Sequence, residues 1–283
     1  MKKWMTLGLM VLLPTLVLAQ TTGKKDMATS RPNDLEILGY GLDVHGFVDL
    51  AYQSRYIWRG FDVYNNDSAV QLTANVEFAD TGFGLAISGH RANQSGYELQ
   101  ERWDYNLYYQ NALFKGEPIE THYRLGWVYY NFPEWPAECW DLQELHAVVS
   151  MPRITNVKGL VPSYALVKLY PAHGGSPFVG DNASGFAHIL MLDYSFPIRG
   201  FLPTMPEQVI KLHSELVYND GVSPMNTDVD HDWSDAVIGV STDFDLGYGI
   251  TLTPGLYHQI TMDRSVNPDE SETWATVGAR VAF

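Results

Sequence analysis

The residues that most constrain this chain are the last eleven, Thr273 to Phe283, which read T-W-A-T-V-G-A-R-V-A-F. Ala275, Val277, Ala279, Val281 and Phe283 fall on one face of an extended chain, and Trp274, Thr276, Gly278 and Arg280 on the other. That is the period of two that a pleated strand imposes. A terminal strand with one apolar face presents a row of unpaired backbone groups. Two folds accommodate it. It can be the edge of a soluble sandwich, or it can pair with the first strand and close a barrel that has no edge. In lipid, closure is the only arrangement of strands that satisfies every backbone N–H and C=O.

The same alternation recurs from Leu42 onward. Val70, Leu72, Ala74, Val76 and Phe78 oppose Gln71, Thr73, Asn75 and Glu77. Trp103, Tyr105, Leu107 and Tyr109 oppose Arg102, Asp104, Asn106 and Tyr108, and Tyr123, Leu125, Trp127 and Tyr129 oppose His122, Arg124 and Gly126. Two segments, near 162–170 and 186–196, are ambiguous, because Lys168 and Asp193 break whichever face is given to lipid. The connections alternate in length. Asp80-Thr81-Gly82 and Asp245 to Gly249 are tight glycine turns, whereas Ser54 to Ser68, Pro171 to Gly185 and Asn219 to Trp233 are long. Short periplasmic turns and longer external loops are the asymmetry of outer-membrane barrels. The expected fold is therefore all-β, a transmembrane antiparallel up-and-down β-barrel of about 12 strands over residues 42–283, with both termini periplasmic. Aromatics at strand ends (Tyr56, Trp58, Tyr129, Tyr130, Trp135, Trp140, Tyr194, Phe196, Tyr218 and Trp233) are expected to form a girdle at the headgroup level.

Lys2 and Lys3 followed by the apolar run Leu7 to Leu18 read as a signal peptide over residues 1–19, processed after Ala19. Residues 20–41 are polar and read as a flexible periplasmic lead-in. No later apolar run approaches the length of a spanning helix. The net charge of −15 becomes more negative once the two leader lysines are lost. Such an acidic chain excludes nucleic acid as a partner, since phosphates require a basic surface. The single cysteine, Cys139, cannot form an internal disulfide.

Directly after the first strand stands Ser54-Arg55-Tyr56-Ile57-Trp58-Arg59-Gly60. It resembles the S-x-Y-x-(W/F)-R-G signature of the TorF-like porins, also grouped as the Gcw_chp family of uncharacterised outer-membrane proteins. The W-V-Y-Y-N-F segment at Trp127 to Phe132, S-F-P at Ser195 to Pro197, T-P-G at Thr253 to Gly255 and the terminal Phe283 are similar too. The resemblance implies an outer-membrane barrel with a pore and brings no catalytic residues. Insertions such as Ala172 to Gly185 depart from the pattern.

On the alternation above, Asp49, Glu77, Arg102, Asp104, His122, Arg124, Glu144, His146, Lys211, His213, Glu215 and Arg280 point away from lipid. They are the candidate pore-lining residues. They line a water-filled passage and bias its ion selectivity, or they pair across a narrow lumen and plug it. Charge favours an acidic external mouth, since the long loops carry Glu134, Glu138, Asp228, Asp230, Asp232, Asp269, Glu270 and Glu272. Asp228 to Asp232 has ligand types for a divalent ion but lacks the glycine and distant glutamate of an EF-hand loop, so a solvated loop is the plainer reading. His231, Ser234 and Asp235 are adjacent in sequence, but triads are spatial and no nucleophile elbow is present. The functional expectation is a passive diffusion channel for small polar solutes or ions with a cation bias, embedded in outer-membrane lipid, without cofactor, metal or enzymatic activity. The alternative is a structural or adhesive barrel with a plugged lumen that acts through its external loops. Oligomeric state is left open.

Overall fold

The structure is a computed structural model and describes residues 35–37, 40–42, 44–58, 60–78, 81–173, 184–203, 205–221, 231–267 and 269–283. The expected leader (1–19), most of the lead-in, and Asp228 and Asp230 of the acidic loop lie outside the described residues. Within the lead-in, Leu35–Ile37 pairs antiparallel with Tyr40–Leu42.

Twelve long strands follow in chain order. They are β1 (Val44–Gln53), β2 (Ala69–Phe78), β3 (Phe83–Ala92), β4 (Arg102–Leu113), β5 (Thr121–Asn131), β6 (Leu142–Ser150), β7 (Leu160–Pro171), β8 (Gly185–Arg199), β9 (Glu207–Asp220), β10 (Asp232–Thr242), β11 (Ile250–Thr261) and β12 (Glu272–Ala282). Each pairs antiparallel with its sequence neighbours, and β12 pairs with β1 from Thr276↔Gln53 to Ala282↔Phe47. Phe283 completes the seam: its N–H donates to Gly46 O at 3.0 Å, and Gly46 N–H donates to Phe283 O at 2.9 Å. The sheet is therefore a closed barrel, and the edge-strand alternative is excluded.

The barrel wears its apolar residues outside. Leu50, Leu72, Leu107, Leu125, Leu145, Leu190, Ile238, Leu256 and Val277 are all exposed, one from nearly every strand. A soluble protein does not present a continuous apolar band around its whole circumference. Hydrocarbon is the solvent that fits it. Rings fringe the band at both ends. Phe83, Tyr109 and Tyr123 step around the end with short turns, with centroids 4.9 and 6.1 Å apart. Trp127 with Tyr129 and Tyr218 with Trp233 do so at the end with long loops. The long loops, taken as external, are residues 54–68, 93–101, 132–141, 172–184, 221–231 and 262–271.

The two ambiguous segments resolve as β7 and β8. Asp193 points inward and bonds His213 Nδ1 at 2.7 Å. Lys168 points outward near the external end, with its ammonium 4.4 Å from the centroid of the Phe186 ring. A long stem lets that charge snorkel to the headgroups. The sequence was unreadable here because β7 is apolar on both faces: Val161, Ala165, Val167 and Leu169 are buried inside the barrel, while Leu160, Tyr164 and Leu166 alternate with them.

Ile238 sits mid-strand on the lipid face of β10. Replacing it with Arg is expected to cost about 2–4 kcal/mol of stability in a bilayer. The check is urea-titrated refolding into lipid vesicles, with the inward-facing Val237→Thr as the control expected to cost less.

Candidate functional site

All twelve candidate residues project from the inward face of the barrel, but they do not act as one set. Near the periplasmic end, Arg280 Nε donates to Asp49 Oδ2 at 3.1 Å and its guanidinium stacks on Phe47. Tyr108 OH approaches Asn75 and Glu77, and Arg124 stacks on the Tyr108 ring while bonding Gln110. Across the lumen, Lys211 pairs with Asp243 at 2.5 Å, and His213 sits between Asp193 and Glu215 at 2.7 and 3.7 Å. His122 pairs with Glu120 at the turn-side mouth. Arg124, Glu144 and Lys211 do not meet across the axis; each belongs to a separate cluster.

The external half of the lumen is different, because loop 54–68 folds into it. Ile57–Trp58 pairs with Phe61–Asp62 as a small hairpin inside the barrel. Tyr56, Trp58, Phe61 and Tyr64 are buried, Trp58 and Tyr64 completely. They pack on the inward apolar positions of β5 to β9, among them Val128, Tyr130, Leu142, Val167, Leu169, Ile189 and Val217. This explains the two-sided apolarity of β7: one face meets lipid and the other meets the loop.

Polar anchors hold the loop on both sides. On the β3–β6 side, Tyr56 OH lies 2.5 Å from His90 Nδ1, and His90 Nε2 lies 2.9 Å from Asp104 Oδ2. Arg102 grips both oxygens of Asp104 at 2.6 and 3.0 Å and donates to Tyr56 OH at 3.3 Å. Its guanidinium lies 3.9 Å from the Trp58 ring centroid and 4.9 Å from that of Tyr130. Tyr130 OH donates to Glu144 Oε2 at 2.8 Å, and Glu144 in turn holds His146 at 3.2 Å. A buried guanidinium with one bidentate carboxylate and two aromatic faces keeps its charge without water. On the far side, Gly60 O accepts from Gln259 and from Asn267 Nδ2, and Asp62 N–H donates to Asp269 Oδ2 at 2.8 Å. Gly60 has φ +93, and a methyl group there would fall 2.5 Å from Asn267 Nδ2 and from Asp235 Oδ1. Only glycine lets the hairpin turn and approach that closely.

Several expectations are corrected by this packing. Tyr56, Trp58, Tyr130, Trp135 and Trp140 belong to the internal core rather than to the girdle, whereas Tyr129, Tyr194, Phe196, Tyr218 and Trp233 remain on outward positions. Arg102, Asp104, Glu144 and His146 are lumen residues by direction but act as anchors for the loop. Ser234 bonds Asp235, while His231 bonds Asp220, so no triad forms. Among the described residues no cluster of His, Cys, Asp or Glu has metal-site geometry. Gln259 and Asn267 were missed by sequence reasoning, and His90, Asp235 and Asp269 were read there as an isolated histidine, a triad candidate and a loop charge rather than as anchors of this hairpin. A signal existed: four large aromatics between 56 and 64 are too many for a solvated loop.

Trp58→Ala removes the ring that lies against Arg102 and Tyr130. A loss of about 3–5 kcal/mol from the loop's seat is expected. Limited chymotrypsin digestion of the refolded barrel checks it, with faster cutting at Tyr56 and Tyr64 while the barrel keeps its heat-modifiable gel mobility.

No protein-family model matches the chain, and no curated protein matches it in sequence. The resemblance to the TorF-like porins therefore rests on the residues quoted for it. Solved structures do match. The NanC porin superposes with a TM-score of 0.52 at 11% identity, over 84% of this chain and 100% of that one. The KdgM porin gives 0.49 at 12% identity, over 84% and 99%. LpxR from Salmonella typhimurium gives 0.45 at 9% identity, over 84% and 100%. Identities this low speak to fold alone. Of the three, the NanC superposition carries the comparison, and the fold it shares with this chain is a closed antiparallel porin barrel.

Proposed function

We propose that the protein is an outer-membrane channel that passes small polar solutes or ions by diffusion, favours cations and performs no chemistry. The observation that carries this reading is the wetness of the periplasmic half of the lumen. The side chains of Asp193, Asp243 and Arg280 keep 39%, 39% and 40% of their surface exposed, and Lys211 keeps 26%. Glu144, at the level of the folded loop, keeps none. Charges in a filled barrel would be as dry as Glu144.

Selectivity follows from how these charges are spent. Asp49, Glu77, Asp193, Glu215 and Asp243 share this half of the lumen with Arg124, Lys211 and Arg280. Two of the bases are already engaged by carboxylates. Asp193 and Glu215 flank His213, and the surplus of acids over bases enriches cations in a confined space. Of the twelve candidates, those proposed to line the passage are Asp49, Glu77, His122, Arg124, Lys211, His213, Glu215 and Arg280. The partners are outer-membrane lipid and the permeating solute.

A second reading, a structural or adhesive barrel that acts through its loops, draws on the dry seat of loop 54–68. Planar-bilayer recordings separate the two. The folded protein is expected to carry a cation-preferring current, and Asp193→Asn with Glu215→Gln is expected to lower the cation-to-anion permeability ratio about two- to threefold, by loss of focused negative charge. A silent barrel, with the loop present and with residues 57–64 excised, would sink the channel and leave the plugged barrel.

A further inference from the structure

A channel must pass solute through a lumen whose external half is here packed dry. We propose that loop 54–68 is a displaceable, proton-sensitive gate, shut when Gly60 docks on Gln259 and Asn267 and Asp62 docks beside Asp269. This rests on the channel reading above.

The loop has the mechanics of a flap. Its ends join β1 and β2, which are neighbours, so it is attached along one margin only. Ser54 fixes that margin, donating N–H to Ala275 O and accepting Ala275 N–H on Oγ, both at 2.9 Å. The tip reaches away from it to β11 and to loop 262–271. The hairpin can therefore leave its seat without breaking a rung of the barrel.

The seat is imperfect in a way a permanent plug would not be. Trp58 Nε1, Tyr64 OH and Gln259 Oε1 are buried at the loop–barrel contact without hydrogen-bond partners among the described residues. With the hairpin out of its seat all three would find water. Their desolvation works against the aromatic burial that favours the closed position.

The tip contact also brings two acids together. Burial pushes the Asp62 carboxyl above its ordinary range, and Asp269 beside it adds to that, while the backbone N–H groups of Asn66 and Tyr64 and the more distant Arg55 pull the other way. Burial pushes Asp269 up as well, opposed by the N–H of Asp62. Among the described residues, the other charged or titratable groups around this contact are few. Arg55 is engaged by Glu272, Asp67 and Tyr97 lie on the same rim, and Asp235 lies under Gly60 with Ser234 donating to it. Across the hairpin stand His90, Arg102 and Asp104. A carboxyl raised by docking holds its proton more tightly docked than free. Docking is therefore strongest in acid, weakens as pH rises from the free value through the raised one, and is constant above it. Acidification shuts the gate.

Single-channel recording of the full-length refolded protein tests this at about pH 7.5 and about pH 3, above and below the ordinary aspartate value of about 3.9. The wild-type open fraction is expected to fall about tenfold in acid. Asp62→Asn with Asp269→Asn is expected to stay mostly shut at both values. Gln259→Ala with Asn267→Ala is expected to raise the open fraction at the higher pH. A barrel with residues 57–64 replaced by a Gly-Ser linker is expected to conduct steadily at both. Heat-modifiable mobility certifies each variant as folded. The gate is overturned if wild type responds to neither acid nor loosening of the tip, if the pH response survives in the Asn pair, or if the excised barrel shows the same response. A folded, excised barrel that carries no current overturns the channel reading itself, a result distinct from the other three.

Discussion

Every backbone group that faces hydrocarbon must find its partner within the chain, and the pairing of β12 with β1 is where that requirement is met. Without the rungs from Gln53–Thr276 to Gly46–Phe283 the sheet would carry two open edges into lipid. With them it becomes a cylinder whose interior is decoupled from its exterior. The outside is then fixed by one criterion, apolarity. The inside is free to be wet, charged or packed, and this protein uses all three.

The interior divides along its axis. Toward the turns, the charged side chains keep part of their surface exposed. Toward the long loops, a hairpin of the chain itself supplies the core that a barrel of this width lacks. The two halves meet at a belt of buried polar side chains that includes Asp104, Asn106, Tyr108 and His146. Arg102 is the joint of the arrangement. It reconciles an aromatic core with a buried carboxylate by offering flat faces to Trp58 and Tyr130 and donors to Asp104. A lysine there would present a point charge that does neither job well.

Strand direction, approximate strand number and the inward set of charges were legible because period two, glycine turns and loop asymmetry are local signals. Asp49 to Tyr52, Val70 to Phe78 and Arg102 to Tyr109 read correctly from pattern alone. What failed depended on contacts distant in sequence. Tyr56 and Trp58 were assigned to the girdle because a ring near a strand end usually meets headgroups, and nothing local says that this loop turns inward. β7 could not be faced because its partner on the inner side is not another strand but that loop. Lys168 added to the confusion, since a cation near the rim of the apolar face is tolerated only through its long stem. Gln259 and Asn267 carried no signal of their own; their role exists only because Gly60 arrives beside them.

The reach of that hairpin also fixes an order of events during assembly. Its latch partners follow it by about two hundred residues, with separations of 207, 199 and 207 for Asp62–Asp269, Gly60–Gln259 and Gly60–Asn267. The tip of the hairpin therefore cannot latch until the final strands have been added. Until then the hairpin can rest only on the earlier strands, and the last stitch that seals the wall is also what lets its tip be fastened.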